Sequence, residues 1–171
     1  MLAAVKLLSI AIVAVLCSSA HAELRPQLQA DLGLSVVAVG YEHPIGEHVA
    51  VMVGGGLFGT YFLPWFSLGD NVIGGVGDVR VTWFHGDDGH GLYVTPYVRA
   101  GYASGSDEDT KVDGSGVAVT GGVFVGYAFA LTARLDLRIG AGAQYIYVGG
   151  DHDVGASTPF VALDAALGWR L

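Results

Sequence analysis

The segment GGDHDVGAST, residues 149–158, sets His152 between Asp151 and Asp153 and follows it with Ser157. A base, a carboxylate to orient it and a hydroxyl nucleophile are the parts of an acyl-transfer site. The same letters describe a solvated loop, because Asp, Ser and Gly are the residues a turn recruits. Two other stretches hold potential cation ligands. His85-Gly-Asp-Asp-Gly-His90 mixes imidazole with carboxylate, and Asp107-Glu108-Asp109 with Asp113 offers hard oxygens suited to Ca²⁺ or Mg²⁺. Neither has the regular ligand spacing of a calcium-binding helix-loop-helix, and a turn accounts for both. The sequence therefore assigns no catalytic residue, no metal and no cofactor.

A different set of charges is patterned along the chain. In LTARLDLRIGAGAQYIY, residues 131–147, Leu131, Ala133, Leu135, Leu137, Ile139, Ala141, Ala143, Tyr145 and Tyr147 share one parity, while Arg134, Asp136 and Arg138 fall on the other. A period of two with unlike faces is the mark of a strand, since a helix would scatter these charges around its surface. The pattern recurs. Val117, Val119, Val123, Val125 and Tyr127 oppose mostly small residues; Leu92, Val94, Val98 and Tyr102 oppose Tyr93, Thr95, Tyr97 and Arg99; Val79, Val81 and Trp83 oppose Asp78, Arg80 and Thr82. Near the N-terminus Leu28, Ala30, Leu32, Leu34 and Val36 oppose Gln29, Asp31, Gly33 and Ser35. At the C-terminus Val161, Leu163, Ala165, Leu167, Trp169 and Leu171 oppose Ala162, Asp164, Ala166, Gly168 and Arg170.

The elements that must position these charges follow from composition. MLAAVKLLSIAIVAVLCSSAHA has Lys6, an apolar run from Leu7 to Leu16 and the small-x-small ending Ala20-His21-Ala22, which reads as a cleaved export signal over residues 1–22. Cys17, the only cysteine, belongs to that leader, so the exported chain of residues 23–171 is expected to be a single domain without disulfides. Seven basic residues then stand against sixteen acidic ones, a balance of −9 that argues against nucleic acid as a partner. The chain is 52% hydrophobic and only 14% charged, with 27 glycines, which departs from a soluble domain. No run after residue 22 approaches a spanning helix, and the remaining way to cross a bilayer is a closed β-barrel.

Charge type then orients the faces. Five arginines (Arg80, Arg99, Arg134, Arg138 and Arg170) and four aspartates (Asp31, Asp78, Asp136 and Asp164) occupy the polar faces, with no lysine among them. A water-facing surface favours long flexible charges such as Lys and Glu, whereas near-balanced Arg and Asp among Gly, Ala, Thr and Tyr suit a confined space. The polar face is therefore predicted to line a side-chain-filled lumen held by an Arg/Asp network, and the aliphatic face to meet hydrocarbon.

The export signal, the glycine-rich alternating strands and the terminal segment ALDAALGWRL resemble the small outer-membrane β-barrels typified by the OmpA membrane domain and OmpX. The resemblance covers residues 23–171 as a pattern. It implies an antiparallel up-and-down barrel of eight strands in the outer membrane of a Gram-negative bacterium, monomeric, in contact with membrane lipid and lipopolysaccharide and inserted by the barrel-assembly machinery. Such barrels commonly end in Phe, and this chain departs from that with Trp169-Arg170-Leu171. Seven strands are evident, beginning near residues 28, 48, 72, 92, 117, 131 and 159; an eighth is predicted over about 23–31, breaking the run that starts at Leu28. The connections HPIGE, HGDDGHG and AFA are short or intermediate, and PWFSLGDN, SGSDEDTKVDGSG and GGDHDVGAST are long. Short periplasmic turns and long outer loops then put the long set, with His152, outside the cell and Leu171 in the periplasm. The expected function is structural or surface-interacting and not enzymatic. Two other readings stay open: a lipid-modifying enzyme with a rim site at His152, and an exported lipocalin-like carrier with its aliphatic face inward.

Overall fold

The computed structural model describes residues 24–34, 36–59, 70–86, 89–107, 113–150 and 155–171. Among them are eight antiparallel strands: β1 Gln27–Leu32, β2 Val36–Pro44, β3 Val49–Gly59, β4 Asp70–Phe84, β5 Gly91–Asp107, β6 Asp113–Ala130, β7 Leu135–Gly150 and β8 Gly155–Arg170. Each pairs with its chain neighbours, and β1 pairs with β8 through Gln27↔Arg170, Leu28↔Trp169 and Ala30↔Leu167, which closes the barrel. Closure leaves no unpaired strand edge. The start of β1 and the end of β8 share one end with the turns β2–β3, β4–β5 and β6–β7; the other four connections lie at the opposite end.

Alternation is visible in burial. On the outside Leu28, Val39, Ile73, Val98, Val125, Ile139, Val161 and Leu167 are exposed, as are Trp83, Tyr102, Tyr127, Tyr145, Tyr147 and Trp169 nearer the strand ends. Gln29, Asp31, Asp78, Arg80, Arg99, Asp136, Arg138 and Asp164 are buried within. The interior is layered. Val36, Ala38, Phe58, Val76, Ala103, Ala118, Ile146 and Val148 pack together toward the end with the four connections, and Leu24, Ala50, Phe84, Tyr93, Tyr97, Phe124, Ala128 and Ala162 toward the turn end. Ionic groups lie between and below them.

Three local expectations need correction. The run from Leu28 does break, but after Leu32: Gly33 donates its N–H to the Val36 carbonyl at 2.8 Å, and β2 restarts with its parity reversed. Val36, expected on the aliphatic outer face with Leu28 and Leu32, is consequently 1% exposed and lies inside. The segment AFA, residues 128–130, is the end of β6 and not a turn. The reversal falls on Leu131 to Arg134, where the Thr132 hydroxyl accepts from the N–H groups of Arg134 and Leu135, at 3.2 and 3.0 Å. A side-chain oxygen that satisfies two backbone donors replaces ladder bonds there, so β7 starts at Leu135 and not at residue 131.

Candidate functional site

The barrel gathers its charges into three groups. The central one is built on Arg80 of β4, whose guanidinium donates to Asp78 from Nε at 2.8 Å and from Nη2 at 2.7 Å, to Asp164 of β8 at 3.0 Å, and to Asp31 of β1. Arg99 of β5 shares two of these carboxylates, reaching Asp31 from Nη2 at 3.0 Å and Asp78 from Nε at 3.2 Å. All five side chains are at most 4% exposed. Asp78 and Arg99 are register partners on β4 and β5, whereas Asp31 and Asp164 reach in from across the barrel wall. Aromatic rings confine the cations: Arg99 lies 4.6 Å from the centroid of Tyr97, which stacks on Phe124 at 4.5 Å. Planar guanidinium groups suit such a site, because they bond in-plane to carboxylates while their faces rest on rings.

Glycine makes room for the next contact. A Cβ at Gly126 or Gly140 would collide with the Tyr93 hydroxyl, so the phenol lies across these two positions and donates to Asp164 at 2.9 Å. Lower in the barrel Arg138 of β7 makes a bidentate pair with Glu42 of β2, both bonds at 2.7 Å, and Gln27 adds a donor to Glu42 at 2.6 Å. At the turn end Asp136 accepts from Arg170 Nε at 2.7 Å and lies 3.2 Å from His90 Nε2, and Arg170 Nη2 also contacts His90. Farther up, Tyr97 donates to Gln144 at 2.7 Å, and Gln144 donates to the Val161 carbonyl at 3.1 Å.

Of the nine residues expected in the lumen network, the structure places Asp31, Asp78, Arg80, Arg99, Asp136, Arg138 and Asp164 inside, with Arg170 half-buried at the turn end. Arg134 is a correction: it sits on the exposed β6–β7 turn created by Thr132, and its side chain never enters the barrel. Within the network, Asp136 and Arg138, two apart on the same face of β7, do not pair with each other, and Arg138 does not pair with Asp164 of the adjacent β8. Strand tilt brings each a partner from another strand: Glu42 for Arg138, Arg170 for Asp136, Arg80 for Asp164. Glu42 and His90 were missed. Glu42 shares the parity of Val36, Ala38 and Gly40, so its inward placement was available once β2 was separated from β1. Five carboxylates and four guanidinium groups thus occupy the interior, and the balance of five arginines against four aspartates does not hold.

The other candidate chemistry does not assemble. Asp151, His152 and Asp153 lie outside the described residues, while the Ser157 hydroxyl is 2.7 Å from that of Tyr145 on the outer wall. His85 rests against Trp83, with ring centroids 5.8 Å apart, whereas its supposed co-ligand His90 turns to Asp136. Among the described residues no three His, Cys, Asp or Glu side chains converge as metal ligands. Asp87, Asp88 and residues 108–112 fall outside the described residues.

No protein-family profile matches the chain, and no curated protein does. Among solved structures, the N-terminal β-barrel domain of Pseudomonas aeruginosa OprF is similar at 15% identity and a TM-score of 0.42, over 85% of this chain and 96% of that one. Neisserial surface protein A is similar at 15% identity and a TM-score of 0.47, over 86% of this chain and 95% of that one.

Proposed function

We propose that the chain is an outer-membrane β-barrel whose role is structural or surface-interacting, with a filled lumen and no catalytic centre. One observation carries the reading: the wall is inside-out, with Val79, Val98, Val125, Ile139 and Val161 exposed and Asp31, Asp78, Arg80 and Arg99 at most 3% exposed. A monomer in water rarely exposes a contiguous apolar patch beyond a few hundred Å², whereas a band of aliphatic residues flanked by aromatics suits hydrocarbon and its interfaces. The same observation disfavours a lipocalin-like carrier, which needs its aliphatic face inward.

The interior supports a closed barrel over a pore. An eight-stranded barrel is only wide enough for side chains to fill, and here arginines, carboxylates, Tyr93, Tyr97 and Phe124 occupy it. An enzymatic rim reading loses support because Ser157 is engaged with Tyr145 on the outer wall. The start of β1, the end of β8 and the turns β2–β3, β4–β5 and β6–β7 belong in the periplasm, and the end that carries the long β3–β4 connection, residues 60–69, at the cell surface. Membrane lipid, lipopolysaccharide and the barrel-assembly machinery are the partners this placement requires. Fractionation tests it: the chain should enter the outer membrane and migrate as a heat-modifiable band, and recovery as a soluble periplasmic protein would refute it.

A further inference from the structure

Cations are scarce on the outside of this barrel, and their placement is uneven. Of the seven basic residues after residue 22, Arg80, Arg99, Arg138 and Arg170 serve the interior, and Lys111 lies outside the described residues. The remaining two, Arg25 and Arg134, are both exposed at the turn end. The backbone places them beside the end of β8: the Arg170 N–H donates to the Arg134 carbonyl at 2.8 Å, and the Leu171 N–H donates to the Pro26 carbonyl at 2.9 Å. Among the described residues neither guanidinium has a carboxylate partner.

A furrow on the outer wall begins beside them. Ala30 stands in register between Val39 and Leu167, so one methyl group is flanked by larger side chains. Leu28, Trp169 and Leu135 continue the walls toward the turn end, where Leu135 directly follows Arg134. The groove holds about 570 Å³ and is lined almost wholly by apolar atoms. That volume falls in the roughly 300–1,000 Å³ range of ligand sites.

We propose that this wall binds one anionic glycerophospholipid from the leaflet at the turn end, with an acyl chain along the furrow and the phosphate between Arg25 and Arg134. The inference rests on the membrane reading above. Charge complementarity selects the occupant: two guanidinium groups with no carboxylate partner among the described residues, near the turn end of an apolar groove, match a phosphate without a compensating ammonium. A zwitterionic lipid fills the furrow equally well but brings its own cation to the arginines.

The test uses the full chain carrying Trp65→Phe and Trp83→Phe, so that Trp169 is the sole indole. It is refolded into phosphatidylcholine vesicles holding a small mole fraction of brominated phosphatidylglycerol or, separately, brominated phosphatidylcholine. Phosphatidylglycerol should quench Trp169 at a mole fraction roughly thirtyfold lower, the enrichment that two interfacial cations supply. Arg25→Gln with Arg134→Gln should abolish the difference while leaving heat-modifiable insertion intact. Ala30→Phe, which fills the furrow, should reduce it. Equal quenching by the two lipids in an inserted barrel overturns the site, as does a preference that survives loss of both arginines. Failure of the chain to insert at all instead overturns the membrane reading, and this proposal with it.

Discussion

Arg80→Gln interrogates the lumen most directly. Arg80 donates four hydrogen bonds to three carboxylates at 3% exposure, so its removal strips a donor from Asp31, Asp78 and Asp164 at once. Each retains one donor: Arg99 Nη2 for Asp31 at 3.0 Å, Arg99 Nε for Asp78 at 3.2 Å, and the Tyr93 hydroxyl for Asp164 at 2.9 Å. The loss therefore corresponds to one broken buried network, roughly 3–5 kcal/mol, and not to three separate ones. An exposed pair would lose at most about 1 kcal/mol. With an unfolding slope of about 2 kcal/mol per molar urea, the expected loss lowers the midpoint by about 2 M. Unfolding of vesicle-inserted protein, followed by the mobility shift of unboiled samples, reads this directly. The central group of three aspartates and two arginines goes from a formal −1 to −2 in the variant, and adding Asp78→Asn returns it to −1. The double variant should recover about 1–3 kcal/mol of the loss through that coupling. A midpoint for Arg80→Gln within about 0.5 M of the parent, or no recovery on adding Asp78→Asn, would refute a dry, mutually dependent network.

Other expectations follow from the same geometry. Val123→Arg, on the outer face near mid-wall, should destabilise the inserted barrel by about 2–4 kcal/mol in the same urea assay, whereas a water-exposed position would tolerate it. Arg134→Gln alone should shift stability by no more than about 0.5 kcal/mol, because the side chain is exposed on a turn; a large loss would return it to the lumen. Gly140→Ala should cost about 1–3 kcal/mol by displacing the Tyr93 hydroxyl from Asp164, with partial relief from Tyr93→Phe, seen as a smaller midpoint shift in the double variant. An epitope inserted after Asp109, between β5 and β6, should be detected on intact cells without impairing heat-modifiability. Detection only after permeabilisation would invert the topology.

What the sequence by itself determined is the wall. Strand periodicity is local and sterically enforced, so Leu137 and Ile139 had to oppose Asp136 and Arg138 whatever the rest of the chain did. The choice of Arg and Asp over Lys and Glu told which face was inside, because a confined space selects planar, pairable charges. Which charge meets which was not legible. Arg138 and Glu42 are 96 residues apart and Arg80 and Asp164 are 84 apart, and they meet only because a closed, tilted barrel sets strands side by side at one register. A one-residue shift moves a whole strand to the other face, and two junctions turned on single polar groups, the first of them with such a shift. Bonding of Gly33 to Val36 reversed the parity that put Val36 inside, and the Thr132 hydroxyl moved Arg134 out of the strand. The alternation extended through both positions without a visible break, so only the backbone hydrogen bonds of the tertiary structure decided them. The same turn that took Arg134 from the lumen set it on one flank of the end of β8, with Arg25 on the other, an arrangement that exists only once β8 closes on β1.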